Sequence, residues 1–341
     1  MKVDTIYIEI TNQCNLNCQT CYNQSGLNHQ RKELSLEDIQ NTIDLFCRYG
    51  LKRVLLSGGE PTMHSQFDTI LDLVDKYPNI LFGIVTNGTN HNSKLIEYLN
   101  TKPNIKLQIS LDGSCEEQNA KTRGTGHFVK TIEFAKKIHK PAHKPLLKMV
   151  ISQNNYDDVE NFYNLALSLN FTPEFAFIYR SGNGINEWDN KALTSLQKTK
   201  ILCLIDRLNR ETCSEAFLPK CTSKCPYAEN SSDLSLCVKV DGAIQPCQAL
   251  YDEQYSLGNV LTFNKDTFNE NLNKIVSLAL KRYQTDYMCQ KCILNECCGK
   301  GCMAEAVNLH SDPLSNDGNC DYRKTQFLML NFSEKLPKST L

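Results

Sequence analysis

The sequence has little excess of charge in either direction, a single tryptophan and no long apolar run. Lys and Arg total 37 against 38 for Asp and Glu, a formal net charge of −1. So even a balance offers no basic surface for nucleic acid or an anionic membrane. The longest apolar stretches are strand-sized and fall short of the ~20 residues that a spanning helix needs. The opening MKVDTIYIEI lacks a charged segment followed by a long apolar core. No export signal is read there, and a cytoplasmic setting is expected. Hydrophobic residues at 41% and charged residues at 22% describe a globular chain, and 341 residues suit two domains.

Cysteine is what the sequence has in plenty. Seventeen thiols in a chain without an export signal cannot mostly be disulfides, because the cytosol keeps thiols reduced. Clustered cysteines in that setting point to metal.

The first 200 or so residues alternate between two patterns. Strand-length, β-branched runs fall at Lys2–Thr11, Lys52–Ser57, Ile80–Thr86, Lys106–Leu111, Leu146–Ser152 and Glu174–Tyr179. Helical spacing falls between them, at Ser35–Tyr49, Gln66–Tyr77, Ser93–Leu99, Phe128–His139, Asp157–Leu169 and Ala192–Leu208. Ser35 with Asp38 has the spacing of a capping box. Six β-α units in series predict parallel strands with right-handed crossovers, in an α/β barrel or open sheet. The site then belongs at the C-terminal strand ends.

From about Lys220 the chain becomes loop-rich, and ten of the seventeen cysteines lie between Cys221 and Cys320. A segment with so little apolar material is expected to draw folding energy from bound metal. The boundary is expected between 211 and 212, with the second region at 212–330 and a polar tail at 331–341.

After the first strand comes Cys14-x3-Cys18-x2-Cys21, three thiols on the loop leaving a strand. The donors suit a four-iron cube with one iron left open, and a structural zinc site is the competing reading. This spacing resembles the signature of the radical S-adenosylmethionine (SAM) superfamily. The following strand ends continue the resemblance with Gly58-Gly59-Glu60-Pro61, Thr86-Asn87-Gly88, Ser110-Leu111-Asp112-Gly113 and Arg123. The resemblance implies a partial (β/α)6 barrel resembling a TIM barrel. It implies that Gly58, Gly59, Glu60 and Pro61 meet the SAM amino group, with the Glu60 carboxylate favouring the ammonium. Asn87, Ser110 and Asp112 would line the cofactor, and Arg123 would neutralise its carboxylate. The residue before the third cysteine is often aromatic in that family. Here it is Thr20, and Tyr22 follows the cysteine as a candidate adenine neighbour.

The later cysteines read Cys221-x3-Cys225, Gly242-x4-Cys247, Cys289-x2-Cys292-x5-Cys298-x3-Cys302 and Cys320. They are similar to the SPASM extension of the same superfamily, which carries two auxiliary clusters. The resemblance implies one cluster on Cys221, Cys225, Cys247 and Cys302, and another on Cys289, Cys292, Cys298 and Cys320. That makes three [4Fe-4S] clusters in all. Cys237 competes with Cys225, and Cys297 with Cys298. The segment around Asp241-Gly242 has the composition of a hairpin. Eleven ligands leave Cys47, Cys115, Cys203, Cys213, Cys237 and Cys297 spare. Cys115, at a strand end, is a candidate hydrogen donor.

What the resemblance implies is reductive cleavage of SAM and hydrogen abstraction by a 5′-deoxyadenosyl radical. The electron would come from a flavodoxin-like or ferredoxin-like donor. The expected substrate is a peptide or small protein, in maturation of a ribosomally made peptide by crosslinking or epimerisation. In sulfatase-activating enzymes an Asp base follows the Gly-x4-Cys cysteine; here the residue is Gln248, so formylglycine formation stands second. A radical dehydrogenase of a small molecule, such as a sugar, and a non-catalytic iron–sulfur electron carrier stand below it. The chain opens directly on its first strand, so a leader peptide is expected to be bound by a separate protein or by the C-terminal module.

Overall fold

A computed structural model describes residues 2–216, 225–228, 234–282 and 287–332. Six parallel strands alternate with helices: β1 (Val3–Thr11), β2 (Arg53–Gly58), β3 (Leu81–Thr86), β4 (Ile105–Ser110), β5 (Leu146–Ile151) and β6 (Thr172–Phe177). The helices between them are α1 (Leu36–Cys47), α2 (Phe67–Leu71), α3 (Leu73–Lys76), α4 (Ser93–Thr101), α5 (Glu116–Arg123), α6 (His127–Ala135) and α7 (Val159–Ser168). α8 (Asn183–Lys191) and α9 (Ser195–Thr212) follow β6.

The expected strands are all present, with β6 beginning two residues early. The expected helix over 66–77 breaks in two at Asp72, and α5 and α8 are additions to the expected pattern. α5 has a mostly polar sequence, EEQNAKTR, and so lacks the apolar period that reveals a helix. α1 starts as its sequence predicts: Ser35 Oγ accepts the Asp38 N–H, and Asp38 caps back onto Ser35.

The strand order is β6-β5-β4-β3-β2-β1, and β1 then pairs in parallel with β7 (Leu234–Val238). β8 (Ala243–Gln245) and β9 (Gly258–Asn259) continue the sheet antiparallel, with Gly242 at φ +82° in the β7–β8 hairpin. The sheet curls, because inward residues of β1 through β7 line one cavity of about 520 Å³. Outward residues such as Ile6, Ile8, Val54, Leu56, Phe82, Ile109 and Leu147 are buried under the helices.

The C-terminal helices are α10 (Lys265–Arg282), α11 (Tyr287–Gln290), α12 (Asn295–Cys298), α13 (Met303–His310) and α14 (Cys320–Phe332). This region shares its apolar material with the barrel instead of lacking it. Leu236, Val238, Ile244, Leu257, Phe268, Leu272 and Ile275 are buried in one continuous core with the barrel residues. Phe268 meets Phe46 of α1 and Tyr49 edge-on. The parallel β1–β7 pairing explains the difference, because it attaches the late strands to a sheet already covered. No described helix is long and apolar enough to cross a membrane.

Candidate active site

Cys14, Cys18 and Cys21 occupy one loop beyond the C-terminal end of β1, and four neighbouring strand ends hold it. From β2, the Gly59 N–H donates to the Thr11 carbonyl at 2.7 Å and the Glu60 N–H to Gln13 at 2.8 Å. The backbones cross so closely that a Cβ on Gly58 would stand 2.3 Å from the Thr11 carbonyl oxygen. One on Gly59 would stand 2.2 Å from that of Gln13. Gly58 also has φ +137°. The glycine pair is therefore required by the approach of β2 to the cysteine loop.

Glu60 is 1% exposed. Its Oε1 accepts from the Thr62 and Thr86 hydroxyls, each at 2.6 Å, and its Oε2 from the Asn87 N–H at 2.7 Å. Burial raises its pKa, and these bonds oppose the rise. The carboxylate expected to face an ammonium is instead turned inward, tying the end of β2 to the end of β3. Pro61 opens the short 3₁₀ turn that Glu60 caps.

From β3, the Asn87 amide donates to Asn15 Oδ1 at 2.8 Å and lies 4.0 Å from Cys14 Sγ. Behind it, His127 Nε2 lies 2.9 Å from the Asn87 carbonyl oxygen, and Nδ1 lies 2.9 Å from the Asn119 amide nitrogen. A neutral ring that donates from Nε2 and accepts at Nδ1 satisfies both. Burial, then the Arg123 charge, push His127 down to about 3.

From β4, Asp112 is fully buried: Oδ1 accepts the Val150 N–H, and Oδ2 pairs with Arg123 Nε at 2.8 Å. That pair is close but misaligned, and neither atom has a hydrogen-bond partner. Burial works against the Arg123 charge, but Asp112 and Cys18 hold it above its ordinary range. Arg123 Nη1 also lies 4.0 Å from Cys18 Sγ.

Beyond the end of β6, at the start of α8, the Asn183 N–H and amide donate to the Cys21 and Cys18 carbonyls at 2.8 and 2.9 Å. A Cβ on Gly182 would stand 2.4 Å from the carbonyl oxygens of both Cys21 and Tyr22. These clamps carry no sequence motif, so sequence reasoning misses them.

Burial pushes the Cys14 thiol up to about 12 and Cys18 up to about 11, with Arg123 opposing the rise at Cys18. Such thiols ionise when a cation binds them. Among the described residues no three Cys, His, Asp or Glu side chains are gathered to hold a single ion. A four-iron cube takes one thiol at each corner and so spreads its ligands more widely than an ion does. The three half-buried thiols on one clamped loop fit such a donor set.

Below the loop, Ser110 faces the lumen in register with Lys148 of β5, whose Nζ meets Glu174 Oε1 of β6 at 2.8 Å. Tyr22 stacks on Tyr251 with centroids 6.1 Å apart, and the Tyr251 hydroxyl donates to Glu9 at 3.1 Å. Burial raises Glu9 to about 7, against the pull of Lys239 and Tyr251. Cys115, the candidate hydrogen donor, is exposed at the start of α5 and is not among the residues lining the cavity. Gln248 and Glu305, from the C-terminal region, do line the cavity.

The later thiols gather in two places. Cys225 and Cys247 flank Tyr227, and Cys302 lies close to Cys247. Cys298 lies close to Cys320 beside Arg323. The Cys292 N–H donates to the Cys289 carbonyl at 3.1 Å. Cys221 and the Cys297 side chain lie outside the described residues. Cys237 is fully buried on β7 and points its thiol toward Glu9 at 3.9 Å.

A curled parallel sheet with a thiol-bearing loop at its C-terminal mouth defines an α/β-barrel enzyme with its site at that mouth. Residues 8–166 match the model of the radical SAM superfamily. This segment is a radical SAM domain. The mycofactocin maturase MftC of Mycolicibacterium smegmatis (strain ATCC 700084 / mc(2)155) is 26% identical over 308 residues, 87% of this chain and 77% of that protein. Streptococcus suis SuiB bound to S-adenosylmethionine has a similar fold, with TM-score 0.76 and 16% identity over 92% of this chain and 76% of that one. Another SuiB structure is described as bound to the precursor peptide SuiA. Native anSMEcpe with bound AdoMet gives TM-score 0.76 at 18% identity, over 97% of this chain and all of that one.

Proposed function

We propose that this chain modifies a peptide. Cys14, Cys18 and Cys21 would hold the SAM-binding iron–sulfur cluster, with SAM lying against Gly58–Pro61, Asn87, Ser110, Asp112 and Arg123 and near Tyr22. When bound, the cluster and SAM supply a 5′-deoxyadenosyl radical that takes a hydrogen atom from the substrate. The observation that carries the reading is the convergence of four strand ends on one three-thiol loop above a cavity of mixed polar and apolar lining. The maturase relative and the peptide-bound structural neighbour support a peptide as substrate.

Each residue then has a bounded task. Glu60, Asn87 and His127 fix the rim against which the loop sits. Arg123 offsets negative charge at Cys18, and Asp112 holds Arg123 in place. The glycine edge offers main-chain carbonyls, instead of the Glu60 carboxylate, to an amino group. Gln248 lines the cavity but is a carboxamide, so it supplies no base of the kind that sulfatase activation uses. Within the module at 212–330 we assign one auxiliary cluster to Cys221, Cys225, Cys247 and Cys302, and the other to Cys289, Cys292, Cys298 and Cys320. The electron donor would be of the flavodoxin or ferredoxin class.

The test is anaerobic reconstitution with iron and sulfide, followed by reduction in the presence of SAM. The wild-type chain should form 5′-deoxyadenosine. Changing Cys14, Cys18 and Cys21 together to Ala should remove about four irons and reduce 5′-deoxyadenosine to background. Undiminished formation in the triple variant would sink the assignment.

A further inference from the structure

We propose that the floor of the barrel lumen is a binding site for an acidic residue of the substrate peptide, with Lys106 as the residue that selects it. The inference rests on the peptide reading above and names a feature of that peptide. Lumens of closed parallel barrels are filled by branched apolar side chains. This one is hollow, with about 520 Å³ of space, and is lined by Tyr7, Arg53, Lys106, Gln108, Lys148 and Glu174 among others. Charged groups on inward strand positions are costly unless something pairs them.

Hollowness is built into the sequence. Tyr7, Leu55, Gly83 and Lys106 form one register row across β1 to β4. A Cβ on Gly83 would stand 2.2 Å from Leu55 Cδ2, so any side chain there would drive Leu55 into the space beside Lys106.

The charges in the lumen are unevenly matched. Lys148 is answered by Glu174 at 2.8 Å. Arg53 pairs with Asp4, which it shares with Lys52 at 3.1 Å. Lys106 makes no ion pair with a described residue, nor does Lys144 beyond it. Lys106 also borders a second cavity of about 390 Å³ that Lys144 and Glu215 line. Lys52, Arg53, Lys106, Lys144 and Lys148 thus stand against Asp4, Glu174, Glu215 and Glu305, an excess of one cation, in a chain whose formal net charge is −1. A half-enclosed space with low-dielectric walls concentrates that excess. The group complementary to it is a carboxylate carried into the lumen by an Asp or Glu side chain, or by a peptide C-terminus.

The experiment selects mRNA-displayed randomised octapeptides on the full chain, reconstituted anaerobically with SAM present. The wild-type pool should carry Asp, Glu or a free C-terminal carboxylate at one fixed position, enriched roughly fivefold or more over input. Selection on Lys106→Glu should reverse this toward Lys or Arg at that position. Lys106→Gln should lose the acidic preference without gaining a basic one, which keeps the test decisive if the charge reversal impairs folding. Enriched peptides without an acidic group, or the same acidic enrichment on both variants, overturn the floor site and leave the peptide reading standing. No enriched peptide on any form overturns the peptide reading, and the floor site with it.

Discussion

The barrel and the cysteine-rich region are joined by one sheet but are held together by different means. The barrel buries two layers of aliphatic side chains between parallel strands and helices, which is a self-sufficient source of stability. The C-terminal region adds to that core along β7 and α10, but its loops depend on polar anchors. Arg282 is fully buried, and its guanidinium donates to the carbonyls of Gly301 at 2.9 Å, Lys300 at 3.2 Å and Ser315 at 2.9 Å. Arg323 pairs with Asp317, which also accepts the Cys302 N–H at 2.9 Å. Ligand loops anchored this way are ordered by a few buried charges and by whatever the thiols bind. The loop of Cys14, Cys18 and Cys21 instead takes its order from strand ends.

The largest test of this contrast is Arg282→Ala. It leaves three buried carbonyls without their donor and should cost about 3–5 kcal/mol, as removal of one buried charged partner does. The loss should be local. Limited proteolysis should cut within 287–332 while the fragment spanning β1 to α9 stays intact, and 5′-deoxyadenosine formation should fall less than resistance to protease does. Uniform loss of protection across the barrel would show that the two regions do not differ in this way.

A second test bears on the barrel rim and is set by pH. His127 has a folded pKa near 3 against an ordinary 6.5, because its buried ring must stay neutral to accept from Asn119 beside Arg123. A depressed folded value means that its contribution to stability is complete above pH 6.5 and is lost progressively as pH falls toward 3. The most it can contribute is about 5 kcal/mol. Glu9, raised to about 7 by burial, titrates with the opposite sign, its contribution being lost as pH rises. The difference between wild type and His127→Gln therefore isolates the histidine. Denaturant unfolding should weaken more steeply for wild type than for the variant between pH 6.5 and pH 4, and equal slopes would remove His127 from the rim.

How much of this is legible in the sequence differs between the two regions. In the barrel, period-two and period-3.6 patterns reveal the strands and most helices, and turn-forming Gly-Gly and Asn-Gly mark the strand ends. What they conceal is direction. Glu60 and Asp112 sit in the expected places, yet their carboxylates are consumed by Thr62, Thr86, Asn87, Val150 and Arg123, which are contacts between strand ends distant in sequence. The lumen does leave a trace: Lys106, Gln108 and Ser110 alternate with buried Ile105, Leu107 and Ile109 on a strand that a packed barrel would make apolar on both faces. In the C-terminal region cysteine spacing locates the thiols. It cannot reveal that Arg282 holds their loops, since a lone arginine at a helix end looks like a solvated charge.

The smallest effect comes from a site where sequence and structure agree, and it gauges the barrel alone. Ser35 Oγ accepts the Asp38 N–H at 3.0 Å, and Asp38 Oδ2 accepts the Ser35 N–H at 3.3 Å. Ser35→Ala removes the first bond and should cost about 1 kcal/mol. In a chain of this size that is a melting shift of roughly 2–4 °C or less. The pair lies on an exposed helix start far from the thiols of the C-terminal region, so iron content and the protease pattern within 287–332 should not change. α1 nonetheless packs Phe46 against Phe268 of α10, which gives the two regions one route of mechanical contact. If Ser35→Ala loosens α1 enough to raise cleavage in the C-terminal region, that contact transmits stability between them. If cleavage there is unchanged while the melting temperature falls, the barrel yields as its own unit and the ligand loops depend on their polar anchors.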